Sequence, residues 1–311
     1  MRFSLVIATL GRTTELQRLL TSLGNQTYRD FEILVVDQNT DGRLLPILNA
    51  WENRLEIRRR VSKPGLSRAR NLGLQAITGE VVCFPDDDCW YPENLLGRVN
   101  QLLTANAGWR GIVGDSINQF GKPTLPWRDR EGRLTPSMSW RRAISYAIFV
   151  RSEVLRKVGG FDETLGVGSG WPWGSGEDND LVLRALQTGF YVQYDPSIQV
   201  HHPELFRSFD KAGFAKRYKY ALGDGRLLRK WPMPVWWGLL FFSVPVCRAL
   251  LALARFNGRE AYFHLLTAAG RIKGFMSGND PYGPEIPFPL EAYPSMTSVS
   301  DASAGLKSRA G

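Results

Sequence analysis

The stretch of this sequence best suited to chemistry is a run of three carboxylates, Asp86, Asp87 and Asp88. It follows residues 81–84, a β-branched and aromatic segment typical of a buried strand. Adjacent carboxylates repel one another and are costly to desolvate, so a divalent cation is the usual compensation, and their oxygens suit Mg²⁺ or Mn²⁺. The alternative is a solvated acidic turn that caps a helix beginning near Pro92.

A second acidic group, Glu177 and Asp178, opens a segment with helical periodicity. The glycine-rich residues 166–176 come directly before it and contain Trp171 and Trp173. Acids at a helix start are often stabilised by the helix dipole alone, which is the structural alternative. Indole rings can instead stack on sugar faces while the acids bond hydroxyl groups, and this favours an acceptor site.

Three further groups are candidates for ligand binding. Thr9 and Asp37 each follow a predicted buried strand, and ligands of open α/β sheets bind at the carboxyl ends of strands. Arg68 and Arg70 lie in the first turns of a predicted helix, where an anion such as a diphosphate is favoured, although arginines there are often only solvated. His201 and His202 follow a late strand, and either one offers an imidazole ligand, with a non-ligand surface pair as the alternative.

The elements that must position these residues alternate between strand and helix along the first half of the chain. Apolar runs at residues 3–8, 31–36, 55–61 and 81–84 are separated by segments with leucines at helical spacing. Such alternation predicts an α/β fold with a mostly parallel sheet. Additional strands are predicted near residues 111–115, 147–151 and 190–194.

Composition narrows the class of protein. The chain has 311 residues, 43% of them hydrophobic, which is enough for a sizeable core. Its three cysteines have no metal-site spacing and indicate free thiols in a reducing compartment. The net charge of +9 is not accompanied by any nucleic-acid-binding motif, so we expect no nucleic acid partner. The N-terminus lacks the pattern of a signal peptide, which predicts a cytoplasmic protein, peripheral on the cytoplasmic face of a membrane.

The C-terminal third differs from the rest. Basic and aromatic residues interleave over 214–230, and an apolar run follows at 235–247, interrupted nearby by Pro245 and Arg248. About fifteen apolar residues are short for a membrane span, so we predict a helix lying in the interface of an anionic leaflet. A buried core helix, a dimer contact and a true span are the alternatives. Residues 278–311 are predicted to be a disordered tail.

Four of these motifs together resemble the family 2 glycosyltransferases of the GT-A fold. They are Val6–Thr9, Val35–Asp37, Gly65–Asn71 and Asp86–Asp88, and the similarity extends over about residues 3 to 205. The resemblance implies a Rossmann-like, mostly parallel sheet flanked by helices. The expected domains are residues 1–205, divided into a nucleotide-sugar half (1–115) and an acceptor half (116–205), then a helical membrane-associated extension at 206–277. Bacterial cell-surface polysaccharide synthesis is the implied setting.

The resemblance also implies site roles. It implies that Asp88 and His202 bind the metal, that Asp178 is the general base with Glu177 beside it in catalysis, and that Trp171 and Trp173 bind the acceptor. The residues implied to bind the nucleotide-sugar are Thr9, Asp37, Arg70, Asn71, Asp86 and Asp87. The implied reaction transfers a sugar from a nucleoside-diphosphate sugar, most commonly a UDP-sugar, to a saccharide or lipid-linked saccharide acceptor. It is metal-dependent (Mn²⁺ or Mg²⁺) and inverting. The alternatives are a catalytically inactive nucleotide-sugar-binding or membrane-docking protein and a nucleotidyltransferase.

Overall fold

A computed structural model describes residues 1–125, 129–204 and 208–278. The predicted domain boundary at residues 205 and 206 therefore lies outside the described residues. So does the predicted tail, except for Gly278. Within those ranges the chain forms eight strands, and all eight belong to one sheet. The strands are β1 (Phe3–Thr9), β2 (Phe31–Asp37), β3 (Ile57–Val61), β4 (Val81–Cys83), β5 (Gly111–Ile117), β6 (Gly132–Arg133), β7 (Ile148–Arg151) and β8 (Val192–His201).

The sheet has the order β3-β2-β1-β4-β7-β5-β8-β6. The first four strands in that order are parallel, as the alternating pattern predicts, and β5 and β8 are also parallel. Strand β7 runs antiparallel between β4 and β5, and β6 is an antiparallel edge strand. The polar residues that follow β1, β2 and β4 consequently meet at one edge of the sheet.

Ten α-helices accompany the strands in the described ranges. They are α1 (Thr14–Gly24), α2 (Leu45–Asn49), α3 (Leu66–Leu74), α4 (Leu95–Ala105), α5 (Pro136–Arg142), α6 (Ser152–Val158), α7 (Glu177–Gln187), α8 (Lys211–Lys230), α9 (Val235–Ala254) and α10 (Gly258–Met276). Because side chains of a strand alternate between its two faces, the sheet supports two apolar clusters. One contains Leu16 and Leu20 of α1, and the other Leu181 of α7.

Helices α8, α9 and α10 pack on one another after the sheet. Gly270 and Gly274 allow the backbone of α10 to approach α8 closely, since an added Cβ at Gly274 would lie 2.1 Å from the Leu222 carbonyl oxygen. Phe242 of α9 meets Phe275 of α10 edge to face, with ring centroids 5.7 Å apart. The predicted helical extension is therefore present.

Helix α9 is longer than the apolar run predicted from the sequence. It continues past Arg248 to Ala254, so its 20 residues are long and apolar enough, by length and composition, to cross a membrane. Most of its side chains lie outside the packed interior, with Trp236, Leu239 and Leu250 each at least 60% exposed. Its exposure argues against the buried core helix that was one alternative.

Candidate functional site

Two of the predicted residues lie side by side at the carboxyl ends of neighbouring strands. Thr9 ends β1 and is the register partner of Asp37, which ends β2. The Asp37 carboxylate is fully buried and accepts bonds from the Arg59 guanidinium at 2.7 and 2.9 Å and from the Asn39 side chain at 2.7 Å. These donors fix its orientation, while its predicted role in recognising a base stays a prediction.

The acidic triplet directly follows β4 and meets Arg12 from the loop after β1. The Arg12 guanidinium contacts the carboxylates of both Asp87 and Asp88, the latter at 2.7 Å. Burial raises the pKa of the Asp87 carboxyl, against the opposing charge of Arg12. Arg12 is a site residue that our sequence reasoning missed, although its place in a loop at the carboxyl edge of the sheet was an available signal.

Asp86, Asp88 and His202 form a cluster suited to a divalent metal. One potential ligand atom from each residue lies within 4.8 Å of the other two. The His202 Nε2 atom is 3.2 Å from Asp88 Oδ1, and its Nδ1 is 2.8 Å from the Pro203 carbonyl oxygen. A proton on Nδ1 suits that second contact and leaves Nε2 directed at the acids. Two carboxylates and an imidazole are a donor set that fits Mn²⁺ or Mg²⁺.

The electrostatics of this cluster favour a cation. Burial opposes ionisation of Asp88, but the hydrogen bond and charge of His202, together with Arg12, lower the pKa of its carboxyl below the ordinary value. Burial likewise opposes the positive charge of His202, but the hydrogen bond and charge of Asp88 raise the pKa of the imidazole above its ordinary value. Partial burial, which leaves 30% of its side chain exposed, raises the pKa of Asp86 to about 6 against the opposing charge of Arg70.

Arg70 connects the metal-type cluster to the second acidic group. Its side chain, only 2% exposed, lies 3.0 Å from Asp86 and 2.8 Å from Asp178. The Ser145 backbone N–H donates to the other Asp178 oxygen at 3.0 Å, and the Ser145 hydroxyl accepts from Arg70 at 2.7 Å. Arg70 is therefore held by acids instead of facing an open anion site, so its predicted nucleotide contact remains a prediction. No sequence pattern pointed to Ser145.

Asn71, the neighbour of Arg70 in α3, is fully engaged within the protein. Its side-chain amide donates to the Phe161 carbonyl at 2.9 Å and to Glu163 at 3.1 Å, and its oxygen accepts from the Phe161 N–H at 2.7 Å. These bonds hold the turn after α6 against α3. The structure thus gives Asn71 a positioning contact, and its predicted place at a nucleotide stays a prediction.

Glu177 and Asp178 stand at the start of α7. Burial, the adjacent Asp178 charge and the nearby Asp86 raise the pKa of Glu177 to about 8, against the pull of Arg70. A carboxyl group with that pKa is mostly protonated at neutral pH, and it can then donate a hydrogen bond as well as accept one. Asp180, one turn further, is buried and accepts from Arg184, Lys230 and Trp231.

The two tryptophans before α7 stack on each other, with ring centroids 5.3 Å apart and an angle of 10° between planes. Trp173 is 4% exposed, with the Arg226 guanidinium 4.5 Å from its ring centroid, whereas Trp171 is 46% exposed. Of the two, Trp171 alone offers an open ring face to a sugar. Their predicted acceptor role is not tested by this arrangement.

With this geometry in place, sequence comparison identifies the family. The family model described as "Glycosyl transferase family 2" matches residues 4–159, which include Thr9, Asp37, Arg70 and the acidic triplet. The chain belongs to glycosyl transferase family 2. A similar curated member is the pre-mycofactocin glycosyltransferase of Mycobacterium tuberculosis, which is 30% identical over 214 residues. That alignment covers 64% of this chain and 42% of the relative, so the chain spans less than half of that protein.

Solved structures establish the fold of this family 2 chain as GT-A. A Staphylococcus aureus TarS fragment (1–349), in complex with UDP, aligns with a TM-score of 0.57 and 15% identity, covering 88% of this chain and 89% of the fragment. A mannosyltransferase of Pyrobaculum calidifontis, in complex with GDP-Man and Mn²⁺, aligns with a TM-score of 0.56 and 16% identity, covering 88% and 72%. The predicted family and fold are both confirmed.

Proposed function

We propose that this family 2 chain is a metal-dependent, inverting glycosyltransferase. It transfers a sugar from a nucleoside-diphosphate sugar to a hydroxyl of a saccharide or lipid-linked saccharide. The favoured donor is a UDP-sugar. The main support for the proposal is that one buried arginine bridges the two acidic groups. The Arg70 guanidinium lies within 3.0 Å of the carboxylates of both Asp86 and Asp178. Solved relatives in complex with UDP and with GDP-Man and Mn²⁺ support the choice of donor and ion.

The proposed roles follow from the contacts. Asp88 and His202, with Asp86 beside them, hold the divalent ion, which when bound supplies positive charge for the departing diphosphate. Asp178 accepts the proton of the acceptor hydroxyl as that oxygen attacks the anomeric carbon. Arg70 and the Ser145 N–H each donate to one Asp178 oxygen and so fix the orientation of this base. Protonated Glu177 can donate to a second acceptor oxygen.

The proposal extends to location. Helix α9 exposes a continuous apolar surface, and Arg248, Arg255 and Arg259 are exposed on it or just beyond it. Exposed apolar side chains with flanking cations fit a peripheral site on an anionic membrane leaflet. We therefore infer a cytoplasmic enzyme docked on the cytoplasmic face of the membrane, where cell-envelope polysaccharide acceptors carried on lipid are within reach.

Calorimetric titration tests the nucleotide and metal assignments together. UDP should bind the protein in the presence of Mn²⁺, and EDTA or Asp88→Ala should weaken binding at least about tenfold, because the diphosphate loses its counter-ion. Asp30→Ala, which removes an exposed acid before β2, is the matched control and should bind normally. If UDP, GDP and dTDP all fail to bind, the proposal fails and the inactive docking alternative is favoured.

A further inference from the structure

A cavity of about 410 Å³ lies between the tryptophan-containing loop and the C-terminal helices. It is separate from the acidic cluster and from every residue assigned to metal or nucleotide above. The lining residues are Trp171, Pro172, Trp173, Leu222, Lys273, Ser277 and Gly278. Two indoles, a proline and a leucine make this lining apolar, so the cavity suits a hydrocarbon better than the hydroxyl groups of a saccharide.

The cavity also has cations beside it. Lys273 of α10 lines it and is exposed to solvent. The Arg226 guanidinium lies over the Trp173 ring, and the Arg229 guanidinium donates to the Phe275 carbonyl at 3.2 Å, two residues from Lys273. An apolar cavity with cations at its border matches an amphiphile that has an anionic group at one end of its hydrocarbon chain.

One loop joins this cavity to the acidic residues. The Gly166 N–H donates to the Trp173 carbonyl at 3.0 Å, and Gly166 lies so close to Glu177 that an added Cβ would be 3.0 Å from the carboxyl carbon. Gly168 similarly meets Gly65 at the start of α3. The loop therefore contacts the acids through its glycines and the cavity through its tryptophans, and a single extended acceptor could reach both.

We propose that this cavity binds the hydrocarbon chain of a lipid-phosphate acceptor and that Lys273 binds its phosphate group. The proposal rests on the glycosyltransferase function above and narrows its acceptor to a lipid-linked one. The chain occupies the space beside Trp173 and Leu222, and the phosphate lies at Lys273. The saccharide or first hydroxyl then extends along the loop towards Glu177 and Asp178.

Binding of farnesyl phosphate, a soluble polyprenyl phosphate, tests the proposal on the full-length protein by tryptophan fluorescence. Leu222→Trp fills the cavity and should weaken binding at least about tenfold, and Trp171→Ala removes an exposed wall and should weaken it without endangering the fold. Lys273→Glu should weaken binding of farnesyl phosphate but not of uncharged farnesol. The matched controls are Leu45→Trp, at an exposed position of α2, and Lys157→Glu, at an exposed position of α6.

UDP binding with Mn²⁺, measured on the same samples, separates this proposal from the broader one. Intact nucleotide binding without any farnesyl phosphate binding would overturn the lipid site and leave the glycosyltransferase function standing. Equal affinity in the wild type and in both cavity variants would also overturn it, as would displacement of farnesyl phosphate by inorganic phosphate alone. Loss of affinity in the three variants, with controls unchanged, supports it.

Discussion

At the scale of single residues, the site is governed by how its negative charge is balanced. Two arginines divide the acids between them: Arg12 contacts Asp87 and Asp88, and Arg70 contacts Asp86 and Asp178. Arg12 is 44% exposed, so it can move at modest cost, whereas Arg70 is 2% exposed and fixed. Under the proposed function, Arg12 can release Asp88 to a metal ion while Arg70 continues to orient the proposed base, Asp178.

Asp178→Asn should abolish transfer while leaving nucleotide binding nearly intact. The amide keeps the shape of the side chain but cannot accept the acceptor's proton, and a positioned base typically contributes about 10²- to 10⁴-fold in rate. Steady-state kinetics with a donor sugar and calorimetry with UDP and Mn²⁺ measure the two effects. Asp30→Asn is the control. Equal loss of binding and rate would contradict the assignment of Asp178 as the base.

The raised pKa of Glu177 predicts a pH-dependent stability. The unfolded chain loses this proton near pH 4.5 and the folded chain only near pH 8, so the folded state binds the extra proton between those values. Its contribution to the free energy of unfolding is full at low pH and falls as the pH rises to about 8.

Urea denaturation at about pH 5.5 and about pH 8.5 checks this dependence. The wild type should lose more stability between the two values than Glu177→Gln, which cannot titrate. The pKa values of His202 and Asp86 are also raised, so both groups change stability in the same direction. Both remain in the two proteins, so the difference between the proteins reports Glu177. Glu153→Gln, at an acid on the surface, should keep the wild-type slope.

At the scale of elements, α8 is joined to the acid-bearing helix α7 by buried charge. The Lys230 ammonium group lies 2.9 Å from Asp180 and 2.8 Å from Asp162, and the Trp231 indole N–H donates to Asp180 at 2.9 Å. Asp180 is two residues from Asp178 on α7, so the C-terminal unit and the proposed base are mechanically linked. Asp180 therefore braces the first turns of α7 against the end of α8.

Lys230→Met should destabilise the protein by about 3–5 kcal/mol, because it leaves buried Asp162 without its cation and buried Asp180 with Arg184 as its remaining cation. Urea denaturation at neutral pH provides the measurement. Lys211→Met, at the exposed start of the same helix, should change stability by no more than about 0.5 kcal/mol. A similar small change in both variants would show that the Lys230 contacts add nothing to stability.

At the scale of the whole molecule, most of the large exposed apolar side chains among the described residues belong to α9 and α10. Leu239 and Leu250 of α9 and Leu265 and Met276 of α10 are examples. Large exposed apolar surfaces of this kind mark interaction sites. We propose anionic lipid as the partner, because exposed arginines lie on α9 and just beyond it.

The protein should sediment with vesicles that contain anionic lipid. High salt should release it, because salt screens the ionic attraction and a helix lying in the interface is anchored less firmly than a membrane-spanning helix. A double substitution, Leu239→Glu with Leu250→Glu, should abolish sedimentation. Phe120→Glu, at an exposed phenylalanine elsewhere, is the control. Retention at high salt and after alkaline washing would instead show that α9 spans the bilayer.

The sequence by itself determined the family, the fold class and the strand ends that bear Thr9, Asp37 and the acidic triplet. It could do so because these features are local: a buried strand is an apolar run, and its carboxyl end is the next residue. The same locality placed Glu177 and Asp178 at a helix start. The family match and the GT-A structures confirm the predicted family and fold.

Only the tertiary structure decided which residues meet. Strand β8 runs on to His201, which pairs with Trp90, and this pairing brings His202 to an acid more than a hundred residues earlier. Arg70 reads in sequence as a cation open to phosphate, but its length and burial let it join Asp86 to Asp178. Such contacts depend on strand order and side-chain reach, and neither is written in any local pattern of residues.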